Sequence, residues 1–323
     1  MSRTRAGSND LGFSLLTGAF ALVLVLVVVG IGIILWKDSG PSLHEFGFKF
    51  WRTETWDPVS GDFGALPFIW GTLYSSLIAL LISTPVAIGI AIFLSEMCPS
   101  WAQTPLVFLT ELLAAIPSIV YGLWGIFVLV PAVRSFEQAM PDVLRVLPIF
   151  SGPPVGVGML AASVILAIMI VPYSSAVARE VLKTVPNAQR EGAMALGATP
   201  WEATKVALFY ARTGIVGAVM LGFGRALGET MAVTMVIGND PKAKLSLFAP
   251  QYSMAAVIAN EFSEATTDLH ISALVEIGLV LFFITLLVNF GSRMLIWSMT
   301  REKKQPKLVI PVVPGETAGE EPA

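Results

Sequence analysis

Six stretches of this chain are apolar at nearly every position rather than along one face: 11–36, 66–94, 105–130, 157–178, 213–237 and 271–297. An amphipathic soluble helix would repeat its apolar residues at i, i+3, i+4 and i+7, and a half-buried strand would alternate them. Neither period is present. Apolar runs of about 18 residues or more with few charges are instead the pattern of membrane-spanning helices. The pattern predicts an all-α integral membrane protein with six transmembrane helices.

The segments between the runs set the organisation. Residues 1–10 form a polar N-tail with Arg3 and Arg5. The run at 11–36 exceeds the roughly 7–15 apolar residues of a signal peptide and leads into Lys37-Asp38-Ser39-Gly40-Pro41, so it reads as a retained helix. Residues 37–65 make an external loop whose Trp51 and Trp56 suit a membrane–water interface. A five-helix core follows at 66–300, interrupted by a polar loop at 179–212. The tail at 301–323, basic and then rich in Pro, Gly and Glu, has the composition of a disordered segment. Pro85, Pro117 and Pro172 fall inside apolar runs and mark kinks.

Composition narrows the function. Of 323 residues, 55% are hydrophobic and 13% charged, against roughly 25% charged in soluble domains. The net charge of −3 offers no basic surface for nucleic acid, and the single Cys98 excludes a disulfide framework or a CxxC metal site. His44 and His270 stand far apart near span ends and read as interfacial residues, so no metal or cofactor is expected. No GxxxxGK[ST] loop occurs, nor any nucleophile–base pair, so no catalytic residue is assigned and ATP chemistry would fall to a partner. With both termini inside, twelve Lys and Arg residues occupy inner segments and seven occupy outer ones, as the positive-inside rule requires.

The inner loop at 179–212 is patterned. Residues 187–196 favour helix and stop at Gly197, which can take the left-handed conformation that closes a helix. Thr199-Pro200-Trp201-Glu202 then supplies an N-cap, a proline at the first helical position and the Glu of a capping box. Ala188, Gly192 and Ala195 share one face of the first helix. Such small residues either admit another protein's backbone or pack the loop on the chain's own spans, and spacing leaves both readings open.

Glu191-Gly192-Ala193, followed after three intervening residues by Gly197, resembles the EAA loop of bacterial ABC importer permeases. The resemblance implies that Ala188, Glu191, Gly192, Ala193, Ala195 and Gly197 dock an ATPase. Where that pattern ends in Ile-x-Leu-Pro, this chain has Ala207-Leu208-Phe209-Tyr210. Longer runs, Glu111-Leu112-Leu113-Ala114-Ala115-Ile116-Pro117-Ser118-Ile119-Val120-Tyr121-Gly122 and Gly224-Arg225-Ala226-Leu227-Gly228-Glu229-Thr230-Met231-Ala232-Val233, resemble signature stretches of the PstC family. The run 160–173 is similar to that family's fourth core span. The likeness implies a type I ABC importer permease fold, phosphate as cargo and a bacterial inner-membrane location. It also implies a PstA-like sister permease, a PstB-like ATPase dimer and an external PstS-like phosphate-binding protein. PstA permeases carry a variant of the Arg–Gly–Glu stretch and are the nearest alternative, with other oxyanions behind them.

Arg225 is the costly residue. On a span at 213–237 it stands twelve residues from each end, about 18 Å. A central Arg costs at least about 2.5–3.5 kcal/mol, so it should face a polar path or a partner. Glu229, four residues on, would lie on the same helix face. Two readings stand: a structural ion pair that fixes packing, or a path in which Arg225 meets a passing anion and Glu229 limits its hold. Thr230 and the Ser118–Tyr121 segment after Pro117 could add neutral donors. Glu111 reads as close to the interface. A secondary transporter or channel is the rival class, and it leaves the patterned inner loop without a purpose.

Overall fold

The computed structural model describes residues 8–300. The 301–323 tail and most of the N-tail lie outside the described residues. In chain order the α-helices are α1 Ser8–Asp38, α2 Gly40–Phe46, α3 Leu66–Ile92, α4 Ser100–Ala115, α5 Ser118–Trp124, α6 Val130–Ala139 and α7 Asp142–Arg145. They continue as α8 Met159–Lys183, α9 Asn187–Ala195, α10 Pro200–Leu227, α11 Met231–Val236, α12 Met254–Glu261 and α13 Asp268–Thr300. A π-helical turn, Phe93–Met97, extends α3, and another, Gly125–Leu129, joins α5 to α6. Among the described residues six segments are long and apolar enough to cross a membrane: Gly12–Asp38, Leu66–Met97, Ser118–Ala139, Met159–Lys183, Pro200–Leu227 and Asp268–Met299.

Three boundaries differ from the sequence reading. The third span was expected at 105–130 but begins at Ser118. Pro117 has no N–H to donate and pushes Ile116 to extended backbone, φ −64° and ψ 129°, so α4 stops at Ala115. The fifth span was expected to run unbroken to 237, yet α10 ends at Leu227 and a new helix starts at Met231. The inner loop expected from 179 starts later, because α8 runs on to Lys183, while α10 begins at Pro200 as the capping box predicts. Arg179, placed in that loop by its charge, is 6% exposed within α8, where Glu180 at 2.7 Å and Glu111 at 3.4 Å neutralise it.

The core is built around α8. Of its most apolar window 61% is buried, against none of the corresponding window of α1, which lies at the periphery against α13. Small side chains bring the helices together, as membrane helices need when no hydrophobic effect presses them into contact. On α10, a side chain at Gly214 would strike Val181, and one at Gly222 would strike Ser174 Oγ and Ile170, both on α8. On α3, Thr72, Ser75, Ala79, Ser83, Ala87 and Ala91 form the buried stripe that packs along α8 and α10.

At the end opposite α9, the loops fold into an aromatic cap. Trp56 meets Phe63 at 4.8 Å and Phe68 at 4.9 Å between ring centroids. Its indole donates to Glu261 at 2.9 Å. His270, 7% exposed, contacts the same carboxylate at 3.3 Å, a buried place rather than a free interfacial one.

Candidate functional site

Two helix breaks meet within the bundle. Beyond the bends at Pro117 and Gly228, the short helices α5 and α11 lie side by side. A Cβ at Gly122 would run into Met235 Sδ and come within 3.2 Å of Ala232 Cα, and one at Gly125 would stand 2.9 Å from Val236 Cγ1. Only glycine permits this approach. Gly122 matching Ala232 and Gly125 matching Val236 make the pair parallel, so Ser118–Tyr121 stands beside the Gly228–Thr230 bend.

Arg225 occupies the last turn of α10, and Glu229 precedes the first turn of α11. Each charge therefore sits at the helix end whose dipole favours it, the cation at a C-terminus and the anion at an N-terminus. Glu229 Oε1 accepts from the Ala232 amide at 3.4 Å. The helix ends between the two charges, so the expected i, i+4 alignment on one face is lost. Among the described residues no ion pair links Arg225 to Glu229 or to any other carboxylate. The guanidinium is exposed on the chain's flank, with its Cζ 5.7 Å from the centre of the Tyr173 ring, a cation–π contact the sequence reading missed. Arg212, the preceding basic residue, lies thirteen positions earlier on the same helix. Arg225 thus stands about 20 Å further along α10, two residues before its end at Leu227 and not midway along an unbroken 213–237 span.

The other predicted path residues surround this point. Ser118 is half-buried, and its hydroxyl has no hydrogen-bond partner among the described residues. Thr230 is half-buried and bonds Gly228 O at 3.4 Å. Tyr121 lies within electrostatic reach of Arg225, but its hydroxyl already donates to Leu113 O at 2.8 Å. It ties α4 to α5, and its proton is not free for a ligand.

At the other end, α9 is the short helix that the 187–196 segment predicts, closed by Gly197 at φ 87°. The capping box at Thr199 and Glu202 is present in full. Ala188, Glu191, Gly192, Ala195 and Gly197 are exposed, Ala193 is half-buried, and a Cβ on Gly192 would meet nothing within 4 Å. The small-residue face therefore does not pack on the chain's own spans. Beside it Leu196 is 92% exposed. The inward side of α9 carries a residue the sequence reading did not single out. Arg190 donates Nε to Glu96 Oε2 at 2.9 Å and Nη2 to Glu96 Oε1 at 2.6 Å, across to the π-turn after α3. That bond to Glu96 raises the Arg190 pKa above its ordinary value.

Two buried carboxylates also went unassigned. Glu137 accepts from the Gly156 amide at 2.8 Å, and Glu276 accepts from Ser42 Oγ at 2.5 Å. Partners so distant in sequence leave no local signal. No group of three or more His, Cys, Asp and Glu able to hold a metal occurs among the described residues.

Residues 87–299 match the family described as binding-protein-dependent transport system inner membrane component. A protein of Mesorhizobium japonicum named "Phosphate transport system permease protein PstC" is 47% identical over 290 residues, covering 88% of this chain and 89% of its own. One of the same name from Haemophilus influenzae is 47% identical over 297 residues, 90% of this chain and 94% of its own. A chain of the MetNI methionine ABC transporter, solved in inward-facing conformations, superimposes with a TM-score of 0.55 at 17% identity. It covers 72% of this chain and 95% of its own, a likeness of fold.

Proposed function

This chain belongs to the PstC permeases of the binding-protein-dependent transport family, and from that membership we propose that it is the permease subunit of an ATP-driven importer of inorganic phosphate. It is a multi-pass protein of the inner membrane, not an enzyme, and works with other subunits of an ABC transporter. In our reading both termini are cytoplasmic, the 37–65 loop is external and the 66–300 core carries transport. Its partners are a PstA-like permease, a PstB-like ATPase pair docked on α9 and an external PstS-like phosphate-binding protein.

Arg225 carries the reading. An exposed guanidinium within an apolar run, without a counter-charge among the described residues, is costly against lipid. A second permease over that flank would turn the cost into a site, since it encloses a polar path of which this chain supplies half. Within the path the planar guanidinium can donate two parallel charge-assisted hydrogen bonds to an oxyanion. Ser118 and Thr230 add neutral hydroxyls, and Glu229 keeps enough negative charge nearby for the anion to leave. Ala188, Glu191, Gly192, Ala193, Ala195 and Gly197 form the surface on which the ATPase seats.

Uptake by the reconstituted complex tests the proposal. Phosphate should accumulate on ATP addition and sulfate should not, whereas equal sulfate uptake overturns the substrate. Arg225→Gln should abolish phosphate uptake while the subunits still copurify.

A further inference from the structure

We propose that Arg190 and Glu96 are a positioning pair that carries movement of the docking helix into α3, so that ATP hydrolysis opens the path. The inference deepens the function proposed above and rests on it.

Apart from this pair, α9 is loosely held. None of its residues is buried, and its backbone packs chiefly on α10, to which a short turn already joins it. Its outer face is open. Among the described hydrogen bonds of its side chains, those of Arg190 reach inward to two other elements. Besides the two bonds to Glu96, Nη1 donates to Val185 O at 2.9 Å and Nη2 to Leu182 O at 3.2 Å. One guanidinium thus ties α9 to the end of α8, where exposed carbonyls favour a cation, and to the end of α3.

The contact is built to transmit force. Both side chains are shielded, 18% exposed for Arg190 and 10% for Glu96, whereas the nearby Lys183–Glu180 pair is 45% and 59% exposed and can give way to water. Two parallel bonds between planar groups fix orientation as well as distance. Glu96 projects from the π-helical turn Phe93–Met97, a widened turn of the kind often found at functional points of helices. From there α3 crosses the membrane, packed along α8, to Gly71, where any side chain would strike Tyr252 O in the outer cap. A displacement of α9 therefore reaches the outer cap through one helix, α3, which runs unbroken through Pro85.

A pair that merely anchors α9 would change how much complex assembles. A pair that transmits movement would change phosphate transported per ATP hydrolysed within assembled complex. The experiment measures that ratio for the full complex in proteoliposomes. Glu96→Gln and Arg190→Ala should keep ATP hydrolysis while the ratio falls roughly tenfold or more, because one shielded charge is left without its partner. Arg190→Lys, which keeps one charged bond, should recover part of it. Glu96→Gln leaves the docking helix unaltered and decides the matter should Arg190→Ala fail to assemble. A wild-type ratio in Glu96→Gln, with only the yield of complex reduced, overturns the inference. Wild-type complex that hydrolyses ATP without moving phosphate overturns the function proposed above instead.

Discussion

Arg225 is held by local forces as much as by any partner. It sits where α10 ends, so unsatisfied carbonyls favour its charge, and the Tyr173 ring faces its guanidinium. These contacts leave its donors free for an oxyanion. Lysine would keep the charge but lose the planar fork. Arg225→Lys should therefore lower phosphate uptake by roughly tenfold, the loss of one charge-assisted bond, where glutamine abolishes it. Initial rates of radiolabelled phosphate uptake separate the two. Glu229→Gln should tighten retention and slow turnover, since less negative charge then opposes the bound anion; an unchanged rate would remove Glu229 from the release step.

Among the elements, the interface of α8 with α10 is exacting, because glycines set its spacing. Gly222→Leu would drive a side chain into Ser174 and Ile170 and cost about 1–3 kcal/mol as overpacking. A lowered melting temperature of the detergent-purified protein checks this. Gly192→Ala provides the contrast: open space surrounds its Cβ, so the melt should not fall. Thr199→Ala removes the N-cap of α10 and should cost about 1 kcal/mol. The capping box and the Gly197 stop were legible because a cap is a local event, decided by residues within one turn. The ends of the third and fifth spans were not. Pro117 was legible as a kink but not as the stop of α4, and Gly228 sits in a run that looks the same whether its helix continues or breaks.

The whole molecule presents an incomplete object. Its core closes around α8, yet Arg225 stays exposed, as does Leu221 one turn earlier on α10. Leu221 at 53% exposure suits lipid or a second permease, and Arg225 suits only the latter. The chain reconstituted alone should therefore take up no phosphate, and adding the sister permease with the ATPase pair should restore transport. Uptake by the single chain would contradict a shared path.

What the sequence determined by itself was set by short-range physics and bulk solvation. Apolar runs partition into lipid whatever surrounds them, basic residues bias the topology, and caps and glycine stops act within a turn. The six spans, the short helix α9 and an Arg within the fifth apolar run all followed. Tertiary structure decided the rest: that Arg225 and Glu229 lie on opposite sides of a helix break, that Glu96 meets Arg190 across ninety-four positions, and that Glu276 meets Ser42. These depend on which helices pack together, and packing between apolar helices is chosen by shape, which no single stretch of sequence displays.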